Sequence, residues 1–268
     1  MRVWYFVQIV MLKVRYSKFF ILPVFLSSLL WGTTTVNAAE EKVKVCAVAQ
    51  LYDALKAVQD RKSGDVSFDI EAGSATDLYS RIANRELSCD MYIGHDLRFP
   101  QKYILGGMAD RGTLQPIGST KLALWSVTGI VDSMCRILKK GTYSRIGVSD
   151  PRIQPSGYAV LQSLKNYELD EKAVTAKFMY AANDFQTMSF VMNGTVMMGF
   201  VPYVMIRQNQ VAKKGSYCLI PNSFHEPLYF YSVVFHNTDP AKKQKALDLR
   251  NYFVSREAKK IFSEYGVD

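Results

Sequence analysis

The chain has 268 residues, a formal net charge of +9 and 49% hydrophobic residues. Its excess lysines fall in scattered pairs, Lys42–Lys44, Lys139–Lys140, Lys213–Lys214 and Lys242–Lys243, with no basic segment interleaved with aromatics. That distribution argues against a nucleic-acid partner and leaves the pairs as wetted surface.

The first 39 residues hold Arg2, Lys13, Arg15 and Lys18 and no acidic residue. The apolar run FFILPVFLSSLLW (Phe19–Trp31) follows, then GTTTVNAA, whose small residues suit cleavage after Ala38 or Ala39. Residues 1–39 therefore read as a signal peptide for export. The alternative is an uncleaved anchor, but the run is broken by Pro23 and is short of the roughly 20 residues a span needs. The apolar stretch VWYFVQIVML before Lys13 suggests a true start at Met11. Cleavage leaves about 229 residues, enough for one large domain or two lobes. Cys46, Cys89, Cys135 and Cys218 then allow two disulfides in any of three pairings. There is no Cys-x-x-Cys or Cys/His cluster for zinc. His95, His225 and His236 are far apart and read as surface or packing residues rather than ligands.

Beyond the leader, strand and helix patterns alternate. VKVCAVA is a strand, and LYDALKAVQDRKSG a helix stopped at Gly64. VSFDIEAG is a strand and SATDLYSRIANREL a helix. CDMYIGHD is a strand, followed by a helical turn and a glycine-rich connection through Gly106, Gly107 and Gly112. TKLALWSV is apolar enough for a buried strand. RIGVSDP is a strand ending in a turn, SGYAVLQSLKNYEL a helix, TAKFMYAA a strand and NDFQTMSFVMNG a helix. TVMMGFVP is a strand and YVMIRQNQ a short helix. CLIP and PLYFYSVVFH are strands, and the chain closes as two helical pieces from Pro240. Such alternation predicts mainly parallel sheets covered by helices, with ligands bound beyond the carboxyl ends of the strands.

Four strand–helix junctions are alike: Ala49–Gln50–Leu51, Gly73–Ser74–Ala75, Pro155–Ser156–Gly157 and Ala182–Asn183–Asp184. Each opens a helix with a small or amide-bearing residue. Taken singly, each is ordinary capping. Taken together, their free N–H groups and helix dipoles suit one small anion, with no arginine required.

These segments resemble the periplasmic molybdate-binding proteins of ABC transporters over nearly all of the mature chain. The blocks that carry the resemblance are VKVCAVAQLYDALKAV, AGSATDLYSRIANRELSCDMYIGHD, RIGVSDPRIQPSGYAVLQSL, FMYAANDFQTMSFVMNGTVMMGFV and SREAKKIFSEYGV, in that order. RIGVSDPRIQPSGYAVLQSL is the most specific. The resemblance implies a two-lobed α/β fold of the type II periplasmic binding protein kind, each lobe a mainly parallel sheet flanked by helices. Lobe one would hold residues 40–122 and 229–268, and lobe two 123–228. TKLALWSV and LYFYSVVF would be the crossings. Cys46 with Cys89, and Cys135 with Cys218, would each share a lobe, which favours those two disulfides over a bond across the cleft; buried free thiols are the alternative.

The same resemblance implies a site. The family's first ligand serine matches Gln50, and its second matches Ser74 or, without a gap, Ala75, with Thr76 also able to serve. Its two backbone N–H contacts match Ser156 and Asp184. Its tyrosine hydroxyl matches Pro202, with Tyr203 one place later. Gln50 still offers an amide donor. Asp184 is expected to present only its N–H, with the carboxylate capping the helix or turned to water. The implied protein is a monomer in the periplasm with no cofactor. It takes up molybdate or tungstate and passes it to a membrane permease. Sulfate, phosphonate, a metal ion or a polar organic solute are alternatives, as is a sensor of the same fold. No nucleophile–base motif points to an enzyme, and Asp90, Asp96 and Asp150 read as structural.

Overall fold

The computed structural model describes residues 42–61, 67–208, 212–236 and 239–268. The expected leader and the expected helix stop at Gly64 lie outside them. The chain enters as β1 (Val43–Val48), a strand inside its sheet whose side chains are buried almost throughout, as expected where both sheet faces are covered. A short turn over Ala49–Leu51 leads into α1 (Tyr52–Arg61). Next come β2 (Phe68–Gly73), α2 (Ala75–Ala83), β3 (Met91–Gly94), α3 (Arg98–Leu105) and β4 (Gln115–Thr120). Past Lys121 the chain forms β5 (Leu122–Ser126), α4 (Arg136–Lys140), β6 (Ile146–Ser149), α5 (Pro155–Asn166), α6 (Glu171–Thr175) and β7 (Phe178–Ala181). It continues through α7 (Asp184–Met192), β8 (Met198–Pro202), α8 (Tyr203–Gln208) and β9 (Ser216–Leu219). It returns as β10 (Leu228–Val234) and ends with α9 (Pro240–Phe253) and α10 (Arg256–Glu264).

The strands make two sheets of five, β2-β1-β3-β10-β4 and β7-β6-β8-β5-β9. This is the expected two-lobed α/β architecture. β1 pairs in parallel with β2 and β3, and β6 with β7 and β8. β10 is antiparallel to β3 and β4, and β5 to β8 and β9. In each sheet, then, only one strand runs against the rest, and it is the strand that has just arrived from the other sheet. It enters where its neighbours finish, so it runs away from that end. The carboxyl ends of β1, β3 and β4 therefore meet those of β6, β7 and β8 across one gap.

β4 falls in what the sequence presents as a connection. Pro116 and Gly118 disguise it, since neither residue favours a strand. It is an edge strand, where a missing N–H is tolerated. Gly118 is required for another reason: a Cβ there would lie 2.8 Å from the Val267 side chain. The chain's end covers that edge, with Ser119 N–H donating to the Asp268 carbonyl and Asp268 N–H to the Ser119 carbonyl, both at 2.7 Å.

The larger apolar cluster runs from the first sheet through α8 onto one face of the second, joining Leu51, Phe230 and Phe253 to Val204, Ile206 and Trp125. Each fully buried phenylalanine there stabilises the fold by about 1.5–3 kcal/mol. Trp125 donates its indole N–H to the Ala212 carbonyl at 3.0 Å, so its burial leaves no orphan donor. A smaller cluster with Leu124, Ile146, Leu164 and Phe200 fills the other face of the second sheet.

Cys46 is bonded to Cys89 and Cys135 to Cys218, the pairing that the resemblance implies, with Cα–Cα distances of 5.9 and 5.5 Å. Each bond ties one strand to a segment of its own half of the fold. They close loops of 43 and 83 residues. Replacing Cys135 and Cys218 together by serine is expected to lower the unfolding free energy by about 2–4 kcal/mol. Urea titration of the oxidised proteins measures this; an unchanged midpoint would mean that the bond does not form in solution.

Candidate functional site

The gap between the strand ends is polar, and Asp184 lies at its centre. Asn183 is the cap of α7, its side chain accepting from Gln186 N–H at 2.9 Å. Asp184 is thereby the first residue inside the helix, and its side chain is free of capping duty. It is only 1% exposed. Its Oδ2 accepts from Gln50 Nε2 at 2.9 Å, and its Oδ1 accepts from Ser149 Oγ at 2.6 Å and from Ser156 Oγ. The Thr187 hydroxyl lies 2.9 Å from that of Ser149 and backs the cluster. The carboxylate therefore faces inward, and the expectation that only its N–H would do so is corrected. The cap position is already taken one residue earlier, so the carboxylate turns to the nearest donors.

Burying a carboxylate costs several kcal/mol unless donors replace its water. The three donors here are neutral. Charge-assisted hydrogen bonds are roughly twice as strong as neutral ones. The N-termini of α5 and α7 add favourable helix dipoles.

Gln50 sits in the turn after β1, so its bond to Asp184 joins the two halves of the fold. Other bonds cross beside it. His95 Nε2 is 3.1 Å from Gln154 Oε1, Gln208 Nε2 donates to the Gln50 carbonyl at 2.8 Å, and the Arg98 guanidinium donates to the Ile153 carbonyl. What remains is a cavity of about 10 Å³, lined by Gln50, His95, Thr120, Ser156 and Asp184 with an apolar wall from Leu228 and Phe230. That is room for about one water.

Of the six residues expected at a site, the structure thus brings together Gln50, Ser156 and Asp184. Ser74 and Thr76 are exposed, and neither lines this cavity. Ser74 caps α2 by accepting from Asp77 N–H at 3.1 Å. The Tyr203 hydroxyl lies 3.3 Å from that of Tyr217, and burial together with that contact raises its pKa. Tyr203 does not line the cavity; Pro202 does. Tyr203 N–H donates to the Lys121 carbonyl at 2.8 Å, which fixes it as the start of α8 and leaves the strand end to its neighbour.

Sequence reasoning passed over Ser149, His95 and Thr120. The signal was their place, since they close or follow β6, β3 and β4 at the carboxyl end. The His95 Nδ1 is buried and makes no hydrogen bond. Two other acidic groups near the gap are held by arginines. Asp150 bonds Arg152, which holds its carboxyl down at about 2. Asp96 bonds Arg98 at 2.6 Å. Asp90 precedes β3 at the opposite end of the sheet, where it accepts from Lys44 N–H at 2.7 Å.

Two lobes that close on a small polar cavity between strand ends define a receptor for a small solute. The chain belongs to the bacterial extracellular solute-binding protein family, which residues 43–268 match. It is 25% identical over 238 residues to the molybdate-binding protein ModA of Azotobacter vinelandii, covering 88% of this chain and 93% of that one. The solved periplasmic molybdate-binding protein of Azotobacter vinelandii superposes with a TM-score of 0.70 at 24% identity, covering 85% of this chain and 99% of that one. The sulfate-binding protein SubI of Mycobacterium tuberculosis superposes with a TM-score of 0.63 at 12% identity, covering 84% and 86%.

Gly157 lets the first turn of α5 reach the cluster. A Cβ there would overlap the Ser149 carbonyl oxygen and lie 2.9 Å from the Pro151 nitrogen. Both are backbone atoms and cannot swing aside. Gly157→Ala is expected to cost about 3 kcal/mol, the upper end of overpacking penalties. A thermal melt followed by circular dichroism measures it; an unchanged melting temperature would mean that the turn has slack.

Proposed function

We propose that the chain is the periplasmic receptor of an ABC importer. It takes a small oxyanion, molybdate or tungstate first, between its lobes and delivers it as a monomer to a membrane permease. One observation carries the reading: neutral donors from both halves of the fold converge, with two helix N-termini, on a single oxygen anion. In the structure that anion is the Asp184 carboxylate. The donor set is of the kind that holds a small oxyanion without a cation. The molybdate- and sulfate-binding relatives support the same class of ligand. Capture needs no covalent step; solute contacts that favour the closed form do the work.

The inward carboxylate favours a second reading, a solute that carries its own donor or positive charge toward Asp184. Thermal shift on the mature protein separates the two. A solute at a hundredfold excess over its Kd stabilises by about 2.7 kcal/mol. For a chain of this size that is a rise of roughly 5–10 °C. Molybdate or tungstate at millimolar concentration is expected to produce such a rise. If divalent metals or amines do so and no oxyanion does, the second reading replaces the first.

A further inference from the structure

We infer that Asp184 sets the specificity of this site: its carboxylate occupies the position of an oxyanion, and an anionic solute binds only by displacing it. The inference rests on the oxyanion reading above. Gln50 Nε2 and Ser149 Oγ donate to the carboxylate at 2.9 and 2.6 Å, and Ser156 Oγ donates as well. All three are neutral side-chain donors at the meeting of the strand ends. A hydroxyl has one hydrogen to give, so carboxylate and solute compete for it.

Space makes the competition exclusive. The cavity of about 10 Å³ beside the carboxylate holds one water and cannot hold a tetrahedral ion with four oxygens. Two like charges in one buried site also repel strongly. A second cavity of about 250 Å³ borders Gln50 and is lined also by Tyr52, Asp53, Phe185, Met188 and Gln208; Asp184 does not line it, so the carboxylate leaves its position only as the bonds around it part. Because the Gln50–Asp184 bond joins the two halves of the fold, the side chain that blocks the position also holds the lobes shut. The site is autoinhibited by an internal anion.

The test is calorimetric titration of the wild-type mature chain, Asp184→Ala and Asp184→Asn with tungstate, molybdate and sulfate. Asp184→Ala is expected to bind at least one of them about tenfold or more tighter than wild type. Its melting temperature without added oxyanion is expected to fall, because three donors lose their acceptor. Asp184→Asn keeps the shape and removes the charge, so it guards against misfolding of the alanine variant and is also expected to bind more tightly than wild type. Wild type binding as tightly as the folded variants overturns the inference and leaves an oxyanion receptor. No binding by any of the three proteins overturns the oxyanion reading itself, and the inference with it.

Discussion

A carboxylate sealed from water needs donors, and Asp184 draws them from three separate elements. Ser149 ends β6, Ser156 opens α5 and Gln50 follows β1. None carries a charge, so no long cationic side chain has to be accommodated, and the elements approach closely. The close approach is what makes the remaining cavity small. It also ties the two halves of the fold together through one amide. Much of the polar geometry in the gap follows from satisfying this single group.

The gap itself is a product of topology. Each sheet receives one strand from the other, and each such strand runs opposite to its neighbours. That arrangement sends the carboxyl ends of the remaining strands toward a common space. Within each half, a disulfide and an apolar core resist deformation. Between the halves the contacts in the gap are hydrogen bonds through Gln50, His95, Arg98 and Gln208. Such bonds exchange with water at little net cost, whereas core packing does not. The polar seam is therefore the place where the molecule can open. α8 differs, because its apolar face packs into the larger cluster and holds the halves together behind the seam.

The alternation of apolar strands with helices was readable along the chain, and so was the importance of the junctions that follow the strands. Ser74 on α2 and Asn183 on α7 act as caps. Three of the four junctions face the gap, through Gln50, Ser156 and Asp184, and the one at Ser74 does not. Local sequence could not separate them, since capping and ligand holding use the same residue types. The end of β2, and Ser74 with it, lies outside the cavity that β1, β3 and β4 feed. Tertiary placement decided that, and it depends on pairings between distant segments. The wide spacing of the three histidines along the chain conceals His95, whereas its place directly after the buried strand β3 marks it.

The sequence by itself determined the class of fold, and it picked out the strand ends and Gln50, Ser156 and Asp184, which the structure brings together at one cavity. Hydrophobic periodicity and helix-start chemistry are local properties, and they survive in a linear reading. Only the tertiary structure decided which way Asp184 turns. A side chain at the first position of a helix can point to water or inward, and both suit its own backbone. The choice is made by Gln50, 134 residues away, together with Ser149 and Ser156, which offer the buried carboxylate its hydrogen bonds. That choice turns a set of donors for an anion into a site that already holds one.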